Sequence, residues 1–462
     1  MKNYLKSLTI LFFGLLIFTS CSDDDEPVVF VPTNTIVELA QATPQLSDLV
    51  DALTKYPDLV SLLSNDGTFT VFAPTNTAFD GLLAAIGQNS IDDIPEDVLK
   101  NVLQYHVFTS AAVEASAVTT GPITMANGEE ANLVSDSSGI SIEGAQVILG
   151  NVEGTNGIVH VIDNVIVPPS IVPIVGTIVA PAYFNKDFTT LIAAVLAADP
   201  SILELLLSDG TEGNGLTLFA PTNDAFAAAG ITDVNGADAI LAYHVVQGTV
   251  LKADLPVSGI ASAEVPTVGG NIYITNKDDG GDVSINGTTK VVATDILGSN
   301  GVVHVIDRTL IPPTSTLVEI VTASQTEFTL LAAALGRASL VSNFDEASDG
   351  PFTVFAPTDA AFIAAGFPDV ASINEADIQT LAGILTHHVA QPNVYVFSSD
   401  LTNGVSIPML NTQNVTIDLN NLTVQDAAGS TPAAGLVATS LNIHATNGVV
   451  HVIDKVLLPQ QN

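Results

Sequence analysis

The chain has no tryptophan, a single cysteine, and only 11 lysines and arginines against 49 aspartates and glutamates in 462 residues. One cysteine cannot close an internal disulfide, so no disulfide framework holds the fold. A formal charge of −38 excludes nucleic acid as a partner, because that affinity comes from lysines and arginines neutralising phosphates. Contact with any anionic surface would need bridging cations or a local patch that escapes the net field. With no tryptophan, seven tyrosines and 19 phenylalanines, a carbohydrate groove built on aromatic stacking is disfavoured.

Long apolar runs are also scarce. Leu8 to Phe18 follows Lys2 and Lys6 and falls short of the roughly 20 residues a spanning helix needs, so residues 1–20 read as a cleaved secretion signal. Thr19 and Ser20 lead to Cys21, which stands where bacterial lipoproteins carry the residue acylated after cleavage. The stretch from Ser22 to Glu26 is acidic and resembles the tag that sends some lipoproteins to the outer face of the outer membrane. Residues 21–32 are thus expected to be a tether. The expected location is the outer membrane, on the cell surface, with membrane contact through the lipid anchor only. A second apolar run, Ile166 to Ala182, is interrupted by Pro168, Pro169, Pro173 and Pro181 and reads as a strand end and linker.

Three landmarks recur in the same order three times. The first is FTVFAPTNTAF from Phe69, LTLFAPTNDAF from Leu216 and FTVFAPTDAAF from Phe352. The second is a pair: Tyr105 with His106, Tyr243 with His244, and His387 with His388. The third closes each unit, as NGIVHVID from Asn156, NGVVHVID from Asn300 and NGVVHVID from Asn447. A repeat of about 140 residues is a whole domain, far longer than a solenoid unit. Breaks at the proline-ended strands divide the chain into 33–170, 171–313 and 314–462, with linkers short enough for the domains to touch.

Each unit opens with apolar residues at helical spacing, such as Leu46, Leu49, Val50 and Leu53. Thr75 and Asn76 can cap a helix carrying Phe79, Leu82 and Ile86 after a β-rich run. Past the Tyr-His pair, short runs of Thr, Val, Ile, Gly and Asn indicate strands. In Val302 to Ile306 both alternating faces are apolar, which predicts a strand buried on two sides. Helices first and strands second give an α+β class.

With these motifs the three units resemble the fasciclin domain, over about 430 residues from near Thr33 to Pro459. The resemblance implies three tandem α+β domains, each with N-terminal helices packed on a β-sandwich wedge of two sheets. It also implies adhesion or matrix attachment, with extracellular matrix, a surface protein or a polysaccharide as partner, and no catalysis. In animal matrix members two patches are linked to receptor binding, the Tyr-His region and an Asp-Ile pair before the closing box. Carried over, these give Tyr105, His106, Tyr243, His244 and His388, together with Asp295 and Ile296, as candidate binding residues. Only the second unit keeps Asp-Ile; the others have Asn151 with Val152 and Asn442 with Ile443. Two departures stand out: His387 replaces the pair's tyrosine, and Asp359 replaces the asparagine found as Asn76 and Asn223.

The recurring histidines invite a metal or acid-base role, but their setting points elsewhere. His106 extends the apolar face of Leu99, Val102 and Leu103, and His304 shares a strand face with Val302 and Ile306, as buried, hydrogen-bonded structural histidines do. No His-Glu-x-x-His, cysteine pair or calcium loop is present, no Gly-x-Ser-x-Gly elbow, and no glycine-rich phosphate loop. The acidic turn from Asn276 to Asp282 fits a tight hairpin better than an ion site. No metal, cofactor or catalytic residue is therefore expected. The leading expectation is a non-catalytic adhesive lipoprotein. The alternative is capture of a glycan, lipid or pigment in a pocket between helices and wedge. The lipoprotein reading predicts that the protein made in its own host incorporates a labelled fatty acid and that Cys21→Ser abolishes the label; a Cys21→Ser protein still labelled contradicts it.

Overall fold

The structure is a computed structural model; it describes residues 31–257, 261–276, 282–324, 326–345, 350–391 and 394–460. The secretion signal, Cys21, the acidic tether up to residue 30 and the interior of the acidic turn, 277–281, lie outside the described residues.

Each unit starts with helices whose ends are set locally. In the first, Thr35 caps Ile36–Gln41 in a capping box with Glu38, and Pro57 occupies the first turn of Pro57–Ser64, where its missing N–H is harmless. Thr316 and Glu319 repeat the capping box ahead of Leu317–Ala323, and Pro200 repeats the proline start in Pro200–Leu207. After the first landmark strand, Thr75, Thr222 and Thr358 cap the next helix, each side-chain oxygen accepting from the backbone N–H three residues on at 3.2 Å. A further helix leads to the Tyr-His pair: Glu96–Gln104, Asp238–Tyr243 and Ile378–Thr386.

The first and last landmarks are neighbours in space. Phe69–Pro74 pairs in parallel with Gly157–Ile162, so that Phe72 lies opposite His160. The same register places Phe219 opposite His304 and Phe355 opposite His451. Both strands of the first two units are buried at every position, which explains why they read as continuous apolar runs rather than alternating ones. In these two units the pair sits inside a seven-stranded sheet. The strands Ala145–Gly154 and Thr289–Gly298 carry register breaks that bend the sheet into a wedge. In the third unit the wedge is divided into a three-stranded and a four-stranded sheet.

The closing Asn-Gly fixes the helices to this pair. Asn156 Oδ1 accepts from Ile36 N–H at 3.0 Å, and its amide donates to Leu63 O at 2.7 Å and Asn65 O at 2.9 Å. Asn300 does the same with Ile178, Leu206 and Ser208, and Asn447 with Leu317 and Phe344. The glycine that follows is required by close approach: a Cβ on Gly157 would stand 2.4 Å from Phe69 O, with near-identical clashes at Gly301 and Gly448.

The run from Ile166 to Ala182 does more than link. Ile171, Ile178, Val179 and Ala182 are buried, and the turns there enter the short helix Ala180–Tyr183. The prolines stop a continuous helix without exposing the apolar residues, so this stretch is the first packing layer of the second unit. One apolar cluster runs through it from the first unit into the second, and Gln88, itself buried, donates to Pro181 O at 3.0 Å. Among the described residues no single helix is long and apolar enough to cross a membrane.

Replacing Asn300 by alanine strands backbone groups at three places, two of them buried. A loss of about 3 kcal/mol in stability is expected, read as a lowered denaturant midpoint; an unchanged midpoint would refute the clamp.

Candidate functional site

The histidines of the Tyr-His pairs lie inside the molecule. His106, His244 and His388 end a helix and turn both ring nitrogens to the backbone. Nδ1–H donates to the carbonyl four residues back, Val102, Ile240 and Ile384, at 2.7, 2.7 and 2.8 Å. Nε2 accepts from Ile166, Leu310 and Leu457 N–H at 3.0, 2.9 and 2.9 Å. This arrangement selects one neutral tautomer. Burial pushes all three imidazoles down to about 4. Each ring thus staples the helix end to the segment leaving the closing strand, with no free nitrogen.

The tyrosines behave similarly. Tyr105 and Tyr243 are buried, and their hydroxyls donate to Glu130 O at 2.8 Å and Asn271 O at 2.7 Å, tying the helix to the wedge. In the third unit His387 takes this place, fully buried, with Nδ1 3.0 Å from Asn411 Oδ1. The shorter ring reaches a side chain instead of a strand carbonyl. Asp359 likewise keeps only part of what asparagine does. Asn76 and Asn223 both accept and donate to the preceding helices, whereas Asp359 accepts from Leu330 N–H at 2.7 Å and has no amide to donate.

The closing-box histidines form a second tie. His160 Nε2 donates to Val113 O at 2.9 Å, while Thr70 Oγ1 accepts from Val113 N–H at 2.9 Å and donates to Ala111 O at 2.7 Å. The rings of His160 and Phe72 lie 5.6 Å apart. His304 with Thr217 holds Val250, and His451 with Thr353 holds Val396, in the same way.

Asp295 belongs to this tie. It occupies the break in Thr289–Gly298 with φ +60°, as Asn151 (φ +55°) and Asn442 (φ +59°) do in theirs. Asp and Asn tolerate this left-handed conformation better than other residues with side chains. Each clips the adjoining loop through Oδ1: Asn151 from Ala115 N–H at 2.7 Å, Asp295 from Lys252 N–H at 2.8 Å, Asn442 from Ser398 N–H at 2.7 Å. Asp295 is exposed, and its second carboxylate oxygen is not engaged by this clip. Ile296 is half-buried and faces the first unit; a Cβ on Gly87 would meet it at 4.0 Å. The structure therefore separates the candidates: the Tyr-His side chains are interior, Asp295 is on the surface, and Ile296 is at a junction between units.

The spaces between helices and sheet are small. Apolar cavities of about 30, 10 and 40 Å³ lie in the first, second and third units, enough for roughly one to three waters and far too small for a glycan, lipid or pigment. Two larger hollows, of about 240 and 250 Å³, lie between the second and third units and beside Ala390 to Pro408. Among the described residues no cluster of three or more His, Cys, Asp or Glu is placed to hold a metal ion.

The Fasciclin domain family model matches residues 44–168, 186–312 and 326–459. The chain belongs to the fasciclin-domain family. Human periostin is 31% identical over 365 residues, covering 76% of this chain and 40% of periostin. Transforming growth factor-beta-induced protein ig-h3 from Sus scrofa is 26% identical over 444 residues, 95% of this chain and 59% of that protein. The chain thus spans about half the length of these relatives. The cell surface glycolipoprotein MPB83 of Mycobacterium bovis is 34% identical over 141 residues, 29% of this chain and 61% of that protein. A solved fasciclin-domain pair from the insect cell adhesion molecule fasciclin I is 18% identical, with a TM-score of 0.30, covering 59% of this chain and 97% of that one. In fasciclin terms, the shared landmarks of this chain are the polar ties of the fold.

Two outcomes follow from these ties. An unfolded histidine titrates near 6.5 and the folded ones near 4, so the unfolded chain binds more protons between these values. Their contribution is fully present above pH 6.5 and lost as pH falls towards 4, by about 2 kcal/mol per histidine at pH 5. Urea midpoints should fall between pH 7 and 5, ahead of carboxylate titration, and fall less in His244→Gln; a flat profile would contradict buried neutral rings. At the bulge, Asp295→Asn should leave stability unchanged within about 0.5 kcal/mol. Asp295→Ala should cost about 1–2 kcal/mol through the lost clip and the strained backbone. Equal thermal shifts in the two variants would contradict the clip.

Proposed function

We propose that this fasciclin protein is a non-catalytic, lipid-anchored surface adhesin that attaches cells to extracellular matrix, a surface protein or a polysaccharide. What carries the reading is one observation: three fasciclin domains follow one another along the chain, at residues 44–168, 186–312 and 326–459. Its similarity to the cell surface glycolipoprotein MPB83 supports a surface location, and the Cys21 motif supports a lipid anchor. Repetition would raise avidity if several domains engage at once.

Burial directs attention to the outer face of the bulged strand in the second domain. Here Asp295 lies between Val292, 60% exposed, and Leu297, 69% exposed. Exposed apolar side chains around one acid suit a protein contact, since apolar area supplies attraction and the acid supplies orientation. The interior Tyr-His side chains would act indirectly, by holding the domain in shape.

Deleting the gene should lower cell aggregation or attachment while leaving growth intact. A strain carrying Val292→Asp and Leu297→Asp should lose several-fold in attachment with the protein still folded and at normal abundance. Full attachment by the deletion strain across several surfaces would overturn the proposal; full attachment by the double variant would move the contact to another face.

A further inference from the structure

The second and third domains meet through a different kind of contact from the first and second. The rings of Tyr273 and Tyr395 meet at a tilt of 33° with centroids 4.0 Å apart, and Asp400, buried in the third domain, accepts from Ser262 and Thr275 of the second. Gly287 sits against Asn442, whose amide donates to Gly287 O at 3.3 Å. These contacts leave a cleft of about 240 Å³ with walls from both domains.

Its lining is not that of a leftover gap. Three buried side-chain polar atoms among the described residues have no hydrogen-bond partner, and two of them, Thr309 Oγ1 and His444 Nδ1, belong to residues lining this cleft. Thr309 is 7% exposed and comes from the second domain; His444 comes from the third. Leaving a buried hydroxyl and an imidazole nitrogen unpaired costs about 1–3 kcal/mol each, so such groups call for a partner. The His444 ring is held edge-on by Tyr273, Tyr395 and Phe397, and burial pushes it down to about 4. It is therefore a neutral hydrogen-bonding group at physiological pH. Arg308 is exposed on the same cleft and takes part in none of the three ion pairs among the described residues. An unpaired guanidinium is unexpected where acids outnumber bases 49 to 11. Ala225, Ala229 and Ile311 add an apolar part to the lining.

We propose that this cleft binds a compact hydroxylated carboxylate, the chemistry that a hexuronic acid residue presents. The guanidinium pairs with the carboxylate in bidentate fashion. Thr309 and His444 take ligand hydroxyls, and the apolar part of the lining covers the C–H face of the ring. The negative field of the whole chain opposes any anion, so selectivity rests on Arg308. Binding is independent of attachment: loss of adhesion in cells would leave this site standing, and an empty cleft would leave the adhesion reading standing.

The test is titration of the full chain, followed by ¹H–¹⁵N shifts of the His444 imidazole, with glucuronate, a galacturonate trisaccharide and glucose as probes. Saturable shifts with a uronate, and at least about tenfold weaker binding by Arg308→Gln, are the expected result. Thr309→Val should also weaken binding, and glucose should give no saturable shift. Tighter binding of the trisaccharide would identify an acidic polysaccharide as the source; equal binding would identify the free sugar acid. The proposal is overturned if neither uronate saturates, if Arg308→Gln binds as the parent does, or if glucose binds as well as glucuronate.

Discussion

The strand that begins each fasciclin domain's sheet and the strand that closes the domain run side by side and parallel, and the rest of the domain depends on this pairing. A parallel pair needs a crossover, and here nearly the whole domain serves as one. Closing so long a connection costs chain entropy that local structure does not recover. The polar landmarks offset that cost at the points where the connection returns. Asparagine holds the opening helices, one histidine holds the helix before the wedge, and the other histidine with threonine holds the loop after it. Each of these side chains is buried and spends its hydrogen bonds on backbone, which makes the ties specific to one register.

That arrangement explains what could be read from the sequence. Repetition, the α+β order and the doubly buried closing strand were legible because they follow from periodicity and position: Val302 to Ile306 is apolar on both faces, and Thr75 precedes an apolar helix. The clamp role of Asn156 was not legible, since its partners, Ile36 and Leu63, are far away in the chain. The segment from Ile166 to Ala182 was legible only as not membrane-spanning. Its prolines announce the break in helix, but nothing local announces that its isoleucines join the cores of two domains.

The candidate residues divide along the same line. A Tyr-His pair at the end of an amphipathic helix looks the same in sequence whether it is displayed or stapled inside; long-range partners such as Ile166 N–H and Glu130 O decide the matter. Asp295 looked special because only one domain has Asp-Ile. The fold shows why asparagine replaces it elsewhere: the position demands a left-handed backbone and a short side-chain acceptor, and both residues supply these. What then distinguishes the second domain is its surroundings, with Ile296 turned to the first domain and Tyr273 to the third. The middle domain is the hub of the chain, joined by apolar packing on one side and by aromatic and polar contacts on the other.

The most direct test of the claim that the landmarks are interior ties is native-state hydrogen exchange at the amides they hold: Ile166, Leu310 and Leu457 on the helix-end histidines, and Ile36, Ile178 and Leu317 on the clamp asparagines. If these bonds are the ties of each domain, all six amides exchange only through global unfolding of their domain, with protection equal to that of the central parallel strands. Exchange through local opening, faster than in those strands, would show that the Tyr-His segments and closing boxes are displayed rather than locked, and would contradict the account.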